Sequence, residues 1–472
     1  MIDRHVSEPD AFTLTLERDP GLRATVVAIA CFDRSPDWER LVERMERATR
    51  LVPTFREKLE RTPFGLATPR WVPDPDFDLS WHLRRVRLPV GGDLPELLDL
   101  ARIAHMAAFD HDRPLWEFTL VEGMADGRAA LVMKVHHALT DGIGGIQIAA
   151  HVVDLEREAG DLGPAPPAPQ GTSHLPFASV AEALTHDARR LGELGRAAAL
   201  GAPGAALAAL RDPIGAASGV AADAVSVLKM VRPVTDTRSP VMRGRGSRRH
   251  FELLDVPFDD LHDAGHELGG SLNDAFLTAL AGGLRRYHQR HFACIAELRV
   301  TMPVSTRSEA DGEGGNHVTL VRFDLPVGIT DPAARLAAVH AVCDAERHEP
   351  ALSHSDGIAA VLNLLPVGVT AGMLRHVDLL ASNVPGFDVP VYVGGALVEG
   401  FYPFGATLGS AANVTLMSYR GSCNIGIVTD VDAVPDPEAF RDCLAAGFAE
   451  VVHARRADRG PAAEADDQPT LT

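Results

Sequence analysis

The chain has 472 residues, 46% hydrophobic and 23% charged, close to the globular average. At roughly 100–200 residues per domain it holds two or three domains, two being the simplest count. That composition excludes a mainly disordered chain, a collagen-like chain and a small disulfide-stapled scaffold. Acidic residues outnumber basic ones by 64 to 45, a net charge of −19. Such a balance gives poor bulk attraction to nucleic acid or to an anionic membrane surface, and no basic stripe or nucleic-acid motif offsets it.

Only Lys58, Lys134 and Lys229 are lysines, an arginine bias that fits a GC-rich genome. The five cysteines, Cys31, Cys294, Cys343, Cys423 and Cys443, are widely spaced with no CxxC. They read as free thiols in a reducing compartment. The opening MIDRHVSEPDAF has no basic region followed by an apolar one, so no secretory signal is expected. The apolar stretch 197–210 is 14 uncharged residues broken by Gly201, Pro203 and Gly204, short of the roughly 20 needed to span a bilayer. The expected location is cytoplasmic, with any membrane contact at the surface.

In chain order, residues 1–158 alternate strand and helix. TVVAIACF at 25–32 is a buried strand by its β-branched apolar run. Leu41, Val42 and Met45 fall at helical spacing within 37–49, and 94–108 also reads as a helix. Strands are expected at 118–121 and 129–135, with Gly123 and Gly127 between them, followed by a helix over 142–153. Residues 159–247 change character. GPAPPAPQG at 163–171 is a proline-rich linker signal. An alanine- and glycine-rich stretch follows, with an amphipathic helix possible around 177–199. It reads either as a solvated connector or as an interfacial segment that meets lipid. A second globular half spans 248–456. Strands are expected at 251–256, 298–304 and 317–325, and helices at 260–268, 273–291, 332–347 and 435–453. Strand and loop fill 379–430, and the tail 457–472 is expected to be disordered.

The sharpest local signal is Lys134-Val135-His136-His137-Ala138-Leu139-Thr140-Asp141-Gly142-Ile143-Gly144-Gly145. A neutral imidazole with pKa near about 6.5 suits general-base work at neutral pH. Adjacent side chains on a strand point to opposite faces. One histidine is therefore expected to be the base and the other structural, unless the strand has already ended. Asp141 could hold an imidazole tautomer, or pair with an arginine and fix the turn. The glycines permit close backbone approach. A zinc site would need a third ligand and lacks HExxH; a phosphate loop would want GxxxxGK[ST]. A purely structural histidine pair stays open on these residues alone. Neither a GxSxG elbow nor a cysteine-nucleophile context supports covalent acyl transfer.

Several further blocks keep company with HHxxxDG. They are Phe77-Asp78-Leu79 with His82, Asp110-His-Asp-Arg113-Pro114-Leu115-Trp116-Glu117, and Val121-Glu-Gly123. Downstream come Ser271-Leu272-Asn273-Asp274-Ala275, Met302-Pro303-Val304-Ser305-Thr306-Arg307 and Gly315-Asn316. Ser382-Asn383-Val384-Pro385-Gly386 and Asn413-Val414-Thr415 with Ser418-Tyr419 complete the set. In this order, over residues 71–430, they resemble the bacterial wax ester synthase/acyl-CoA:diacylglycerol acyltransferase family, within the HHxxxDG acyltransferase superfamily. Two segments depart from the family pattern. Ser7-Glu-Pro9-Asp10 is a weakened "SPLD", and Val241-Met-Arg243-Gly244-Arg245-Gly246-Ser247-Arg248-Arg249 carries Arg243 where asparagine is usual.

The resemblance implies an α/β fold of two chloramphenicol-acetyltransferase-like domains, joined by a crossover linker, with an active-site tunnel between them. It implies an O-acyltransferase that moves a long acyl chain from acyl-CoA to diacylglycerol or to a fatty alcohol. His137 would be the general base, without metal, cofactor or covalent intermediate; acyl-CoA enters as substrate. His136 is a helper or structural residue, and Asp141 a structural partner of Arg307. Asn273 is an oxyanion or substrate donor, with the N-cap of the next helix as its bland alternative. Gly142, Asp274 and Asn316 are candidates at the substrate, and Arg248 and Arg249 could meet CoA phosphates. Pro303, Asn383, Pro385 and Gly386 shape backbone near the tunnel, and Trp116 is core. Such lipids imply peripheral contact with a membrane or lipid droplet, with 177–230 the leading candidate segment. The competing readings are an acyltransferase with a carrier-bound donor and a catalytically silent lipid-binding protein.

Overall fold

The computed structural model describes residues 5–61, 68–89, 92–140, 142–158, 160, 163–167, 234, 236–305, 318–347, 372 and 374–458. The alanine-rich stretch and the tail beyond 458 lie outside the described residues. Helix α1 (Glu8–Leu16) is capped by Ser7, whose side chain accepts the Asp10 N–H. Strand β1 (Thr25–Phe32) has the limits that its apolar run predicts. Helix α2 (Trp38–Leu51) is capped by Asp37 and buries Leu41, Met45 and Ala48 on one face. A small hairpin, β2 (Glu57–Glu60) and β3 (Arg70–Pro73), follows. The single-turn α3 (Leu79–His82) then leads into β4 (Leu83–Arg87). Helix α4 (Leu94–Met106) carries a capping box between Asp93 and Glu96. Strands β5 (Trp116–Glu122) and β6 (Ala129–His136) pair antiparallel, and α5 (Gly142–Ala149) stops four residues short of its expected end.

The second half runs β7 (Arg249–Pro257), α6 (Phe258–Glu267), α7 (Leu272–Arg290), β8 (Glu297–Ser305), β9 (Val318–Pro326) and α8 (Pro332–Arg347). It continues with β10 (Leu379–Pro385), β11 (Tyr392–Val393), β12 (Ala396–Phe404), β13 (Ala412–Tyr419), β14 (Ser422–Asp430) and α9 (Pro437–Asp458). Two six-stranded sheets result. Their orders are β11-β12-β1-β6-β5-β4 and β7-β14-β13-β10-β8-β9.

The cut expected at residue 248 divides the chain but not the sheets. β12 leaves the second half and pairs antiparallel with β1, Ala30 facing Phe401 and Val27 facing Phe404. The hydrogen bonds along the free edge of β1 are thereby satisfied by a segment about 370 residues away in sequence, a pairing no local pattern announces. The correction to the domain limits is therefore that residues 392–404 belong structurally with the first sheet. Behind β12 lies β14, and Gly426 makes that approach possible: a Cβ there would sit 1.9 Å from the Pro403 carbonyl oxygen. Phe251 of β7 and Phe404 of β12 stack at 4.2 Å within an apolar cluster. That cluster also holds Val27, Ile29, Leu97, Val132 and Val428.

Candidate active site

β6 ends at His136, and the next three residues form a 3-10 turn, His137–Leu139. Strand alternation therefore does not assign the two histidines, and their burial and partners distinguish them instead. His136 is fully buried, its Nδ1 accepting the Ala138 N–H at 3.0 Å and its Nε2 facing Glu17 Oε1 at 3.1 Å. His137 is half-buried, and its own N–H donates to the Ala24 carbonyl at 2.9 Å. Asp141 lies outside the described residues, as do Arg307 and Asn316. Gly142 opens α5, which packs against β10 of the second sheet.

Glu17 is a residue that the sequence reading missed. It follows α1, which packs on the 3-10 turn, and its other oxygen lies 3.0 Å from His111 Nε2. Burial alone would raise its pKa. Hydrogen bonds with His111 and His136 outweigh that and hold it at about 2. A buried carboxylate thus links the acidic block at 110–113 to the histidine turn. Nearby, Lys134 on the same face of β6 is buried with its Nζ 3.0 Å from Glu117 and 4.0 Å above the Phe109 ring. Burial lowers its pKa. Only a glutamate following Leu14 and Leu16 marks Glu17 in the sequence, and nothing local ties it to a histidine 119 positions on.

Trp116 is fully buried between Phe55 at 4.9 Å and His82 at 4.6 Å, its indole N–H donating to the Phe55 carbonyl. In the second half, Ser271 is the N-cap of α7, so Asn273 is not the cap. Asn273 is half-buried and lines a cavity together with Pro303 and Asn383, three separate sequence blocks brought to one place.

Asp274 is engaged through its Oδ2 at the start of α7. It is buried in the capping box, accepting from the Ser271 N–H and Oγ at 2.8 Å, with His340 Nδ1 at 3.0 Å. Burial raises its pKa, but these partners prevail and lower it. Pro385 is exposed at the end of β10, and Gly386 sits where a Cβ would come within 2.2 Å of the Ser418 carbonyl.

The two arginines of the pair are placed differently. Arg249 is buried and ion-paired with Asp430 at 3.1 Å, so it faces inward and not toward a phosphate. Arg248 is 71% exposed, 3.0 Å from Asp432. The loop before them is structural: Arg245 donates to the carbonyls of Met242, Gly244, Val377 and Gly409. Arg243, at the departing position, is exposed. Among the described residues no group of three or more His, Cys, Asp or Glu could hold a metal ion. No described helix is long and apolar enough to cross a membrane.

The family model for the wax ester synthase/diacylglycerol acyltransferase catalytic domain matches residues 6–276, and that for the C-terminal domain of the same family matches residues 314–451. A protein of Mycobacterium tuberculosis (strain H37Rv) named a putative diacylglycerol O-acyltransferase is 38% identical, the match covering 92% of this chain and 89% of the relative. Another of that name from the same strain is 31% identical, over 97% and 99%. Among solved structures, the wax ester synthase/diacylglycerol acyltransferase from Marinobacter aquaeolei VT8 superposes with a TM-score of 0.63 at 22% identity, covering 96% of this chain and all of that one. The first condensation domain of the calcium-dependent antibiotic synthetase gives 0.62 at 15% identity, covering both chains fully. At those identities the two structures speak for the fold.

Proposed function

The chain belongs to the wax ester synthase/diacylglycerol acyltransferase family, and from that premise and the histidine turn we propose how it transfers a long acyl chain from acyl-CoA to the hydroxyl of a diacylglycerol or fatty alcohol. The observation that carries the reading is the difference in burial between the two histidines. His136 is fully buried, its Nδ1 accepting the Ala138 N–H and its Nε2 3.1 Å from Glu17, whereas His137 is half-buried on the turn, where a substrate hydroxyl can reach it. In the proposed step His137 takes the hydroxyl proton as the oxygen attacks the thioester carbonyl carbon. The tetrahedral oxyanion collapses, the C–S bond breaks, and the departing thiolate receives that proton from the imidazolium. Ester and free CoA result, and the route calls on no metal, cofactor or acyl-enzyme. The Asn273 amide is a candidate donor to the oxyanion. Asp141 and Arg307 are assigned the structural pairing that steadies the turn.

Substrates of this kind reside in lipid, so peripheral contact with a membrane or droplet surface belongs to the proposal. With a net charge of −19 that contact is hydrophobic in character, and residues 177–230 are its leading candidate. The test is thiol release from palmitoyl-CoA by the purified full chain. Acceptors are hexadecanol or diacylglycerol presented in vesicles, with His137→Ala alongside. Acceptor-dependent release that vanishes in a folded His137→Ala, with sedimentation of the protein on the vesicles, is expected. No release with either acceptor would overturn the acyl-CoA reading in favour of a carrier-bound donor or of lipid binding without chemistry. Failure to sediment would overturn the surface contact.

A further inference from the structure

The first turn of α7 carries Asn273, and the side-chain contacts of that amide do little to hold it. Among the described residues it makes one hydrogen bond, a long one from Nδ2 to Met302 Sδ at 3.9 Å. Where the amide points is therefore set by the backbone that carries it, and that backbone is anchored one residue on. The Asp274 carboxylate, 1% exposed, accepts from the Ser271 N–H and Oγ through Oδ2, which is all that a capping box asks of it. Yet the same oxygen also takes His340 Nδ1 at 3.0 Å, from a different helix, α8. An ionised carboxylate only accepts, so the proton of this bond is on Nδ1. Burial alone would raise the Asp274 pKa, and His340 is foremost among the partners that bring it below the ordinary carboxylate value. Cys343, three residues further along α8, also bonds to this carboxylate. Leu336, four residues before His340, closes on Gly270, where a Cβ would sit 2.8 Å from its Cδ1-paired methyl, Cδ2. One face of α8 thus grips the start of α7.

We infer that His340 is a positioning residue for acyl transfer: by bonding the Asp274 carboxylate it fixes the first turn of α7, and so the aim of the Asn273 amide at the oxyanion. The inference rests on the acyl-transfer reading above. His340 itself touches no substrate. Ser271 ties the turn only to itself, whereas His340 ties it to α8, which packs on β9 of the second sheet. The His340 side chain is 49% exposed while its partner is buried, so replacing it removes a bond without leaving a hole in the core. A donor aimed at a developing oxyanion acts mainly in the transition state. Loss of aim therefore lowers kcat and leaves KM for donor and acceptor little changed.

The test is a double-mutant cycle on the full chain, with palmitoyl-CoA and hexadecanol as substrates. His340→Ala is expected to lower kcat roughly tenfold, the loss of one hydrogen bond to a charged group, with KM for both substrates little changed. His340→Asn, whose amide nitrogen can stand where Nδ1 stands, is expected to restore most of that loss. Asn273→Ala alone is expected to lower kcat roughly 100-fold. Adding His340→Ala to it is expected to cost nothing further, because the donor to be aimed is already gone. A second loss of roughly tenfold in the double variant marks a merely structural role and overturns the inference. Unchanged kcat in folded His340→Ala or in folded Asn273→Ala overturns it too. A wild-type chain that transfers nothing overturns the acyl-transfer reading instead. The anchoring is then read by hydrogen exchange at the Asp274 and Ala275 amides, which bond to Ser271. Faster exchange in His340→Ala, reversed in His340→Asn, supports it, and unchanged exchange overturns it.

Discussion

At the scale of single residues, the histidine turn depends on a charge that sits under it. Glu17 stands between His136 and His111 with its carboxyl held at about 2, so it is ionised at every working pH. Its contribution to stability is therefore complete above its unfolded value of 4.5 and is lost as the pH falls toward about 2. Glu17→Gln keeps the shape and removes the charge. It is expected to lower kcat by roughly tenfold, the loss of one charge-assisted hydrogen bond beneath the turn, with KM little changed. Steady-state kinetics beside a circular dichroism melt checks this; unchanged kcat would make the carboxylate a matter of stability alone. His137 and His136 could be picked out from their spacing and strand alternation. Glu17 could not, because its meaning comes from the packing of α1 against a turn far along the chain.

At the scale of elements, caps and periodicity made most boundaries readable. Ser271 and Asp274, three apart and ahead of an apolar run, are a capping-box pattern, and the helix begins there. Ser271→Ala is expected to cost about 1 kcal/mol and to loosen the α7 start that presents Asn273 to the cavity. Urea unfolding measures the first. The second would show as a fall in kcat steeper than the loss of folded protein. The elements without a legible signal are those with weak local patterns. α3 is one turn long, and β4 reads Leu83-Arg84-Arg85-Val86-Arg87, an edge strand with four exposed positions and no alternation. Its identity as a strand comes from pairing with β5. The early stop of α5 is likewise tertiary, since residues beyond it turn to bridge Asp154 to Tyr392.

At the scale of the whole molecule, the two halves are joined by the shared apolar cluster around Phe251 and Phe404 and should unfold as one. His105 of α4 is buried at their junction, edge-on to Phe251 at 5.3 Å and hydrogen-bonded to the Gly405 backbone. Burial, helped by the nearby Arg249 charge, drives its pKa down to about 3. The unfolded chain binds this proton below about 6.5 and the folded chain does not. Stability is therefore greatest above pH 6.5 and falls between 6.5 and about 3, by up to about 1.4 kcal/mol per pH unit for this one group. His105→Gln removes that dependence. All four tryptophans, at 38, 71, 81 and 116, lie in the first half. Tryptophan emission and far-UV circular dichroism are expected to give coincident transitions that shift together with pH. Separate transitions would show two independently folding halves.

The sequence by itself determined the α/β class, the family through its ordered blocks, and the histidine pair as the centre of interest. These follow from short-range rules: side-chain period, cap chemistry, and residue types at fixed spacing. Only the tertiary structure decided that β12 completes the first sheet, that Arg249 and Asp274 point inward to partners, that Glu17 underlies His136, and that Asn273, Pro303 and Asn383 meet at one cavity. Each of these joins residues tens to hundreds of positions apart. Their pairing is selected by burial and hydrogen-bond satisfaction over the entire chain, for which no local stretch carries a signature.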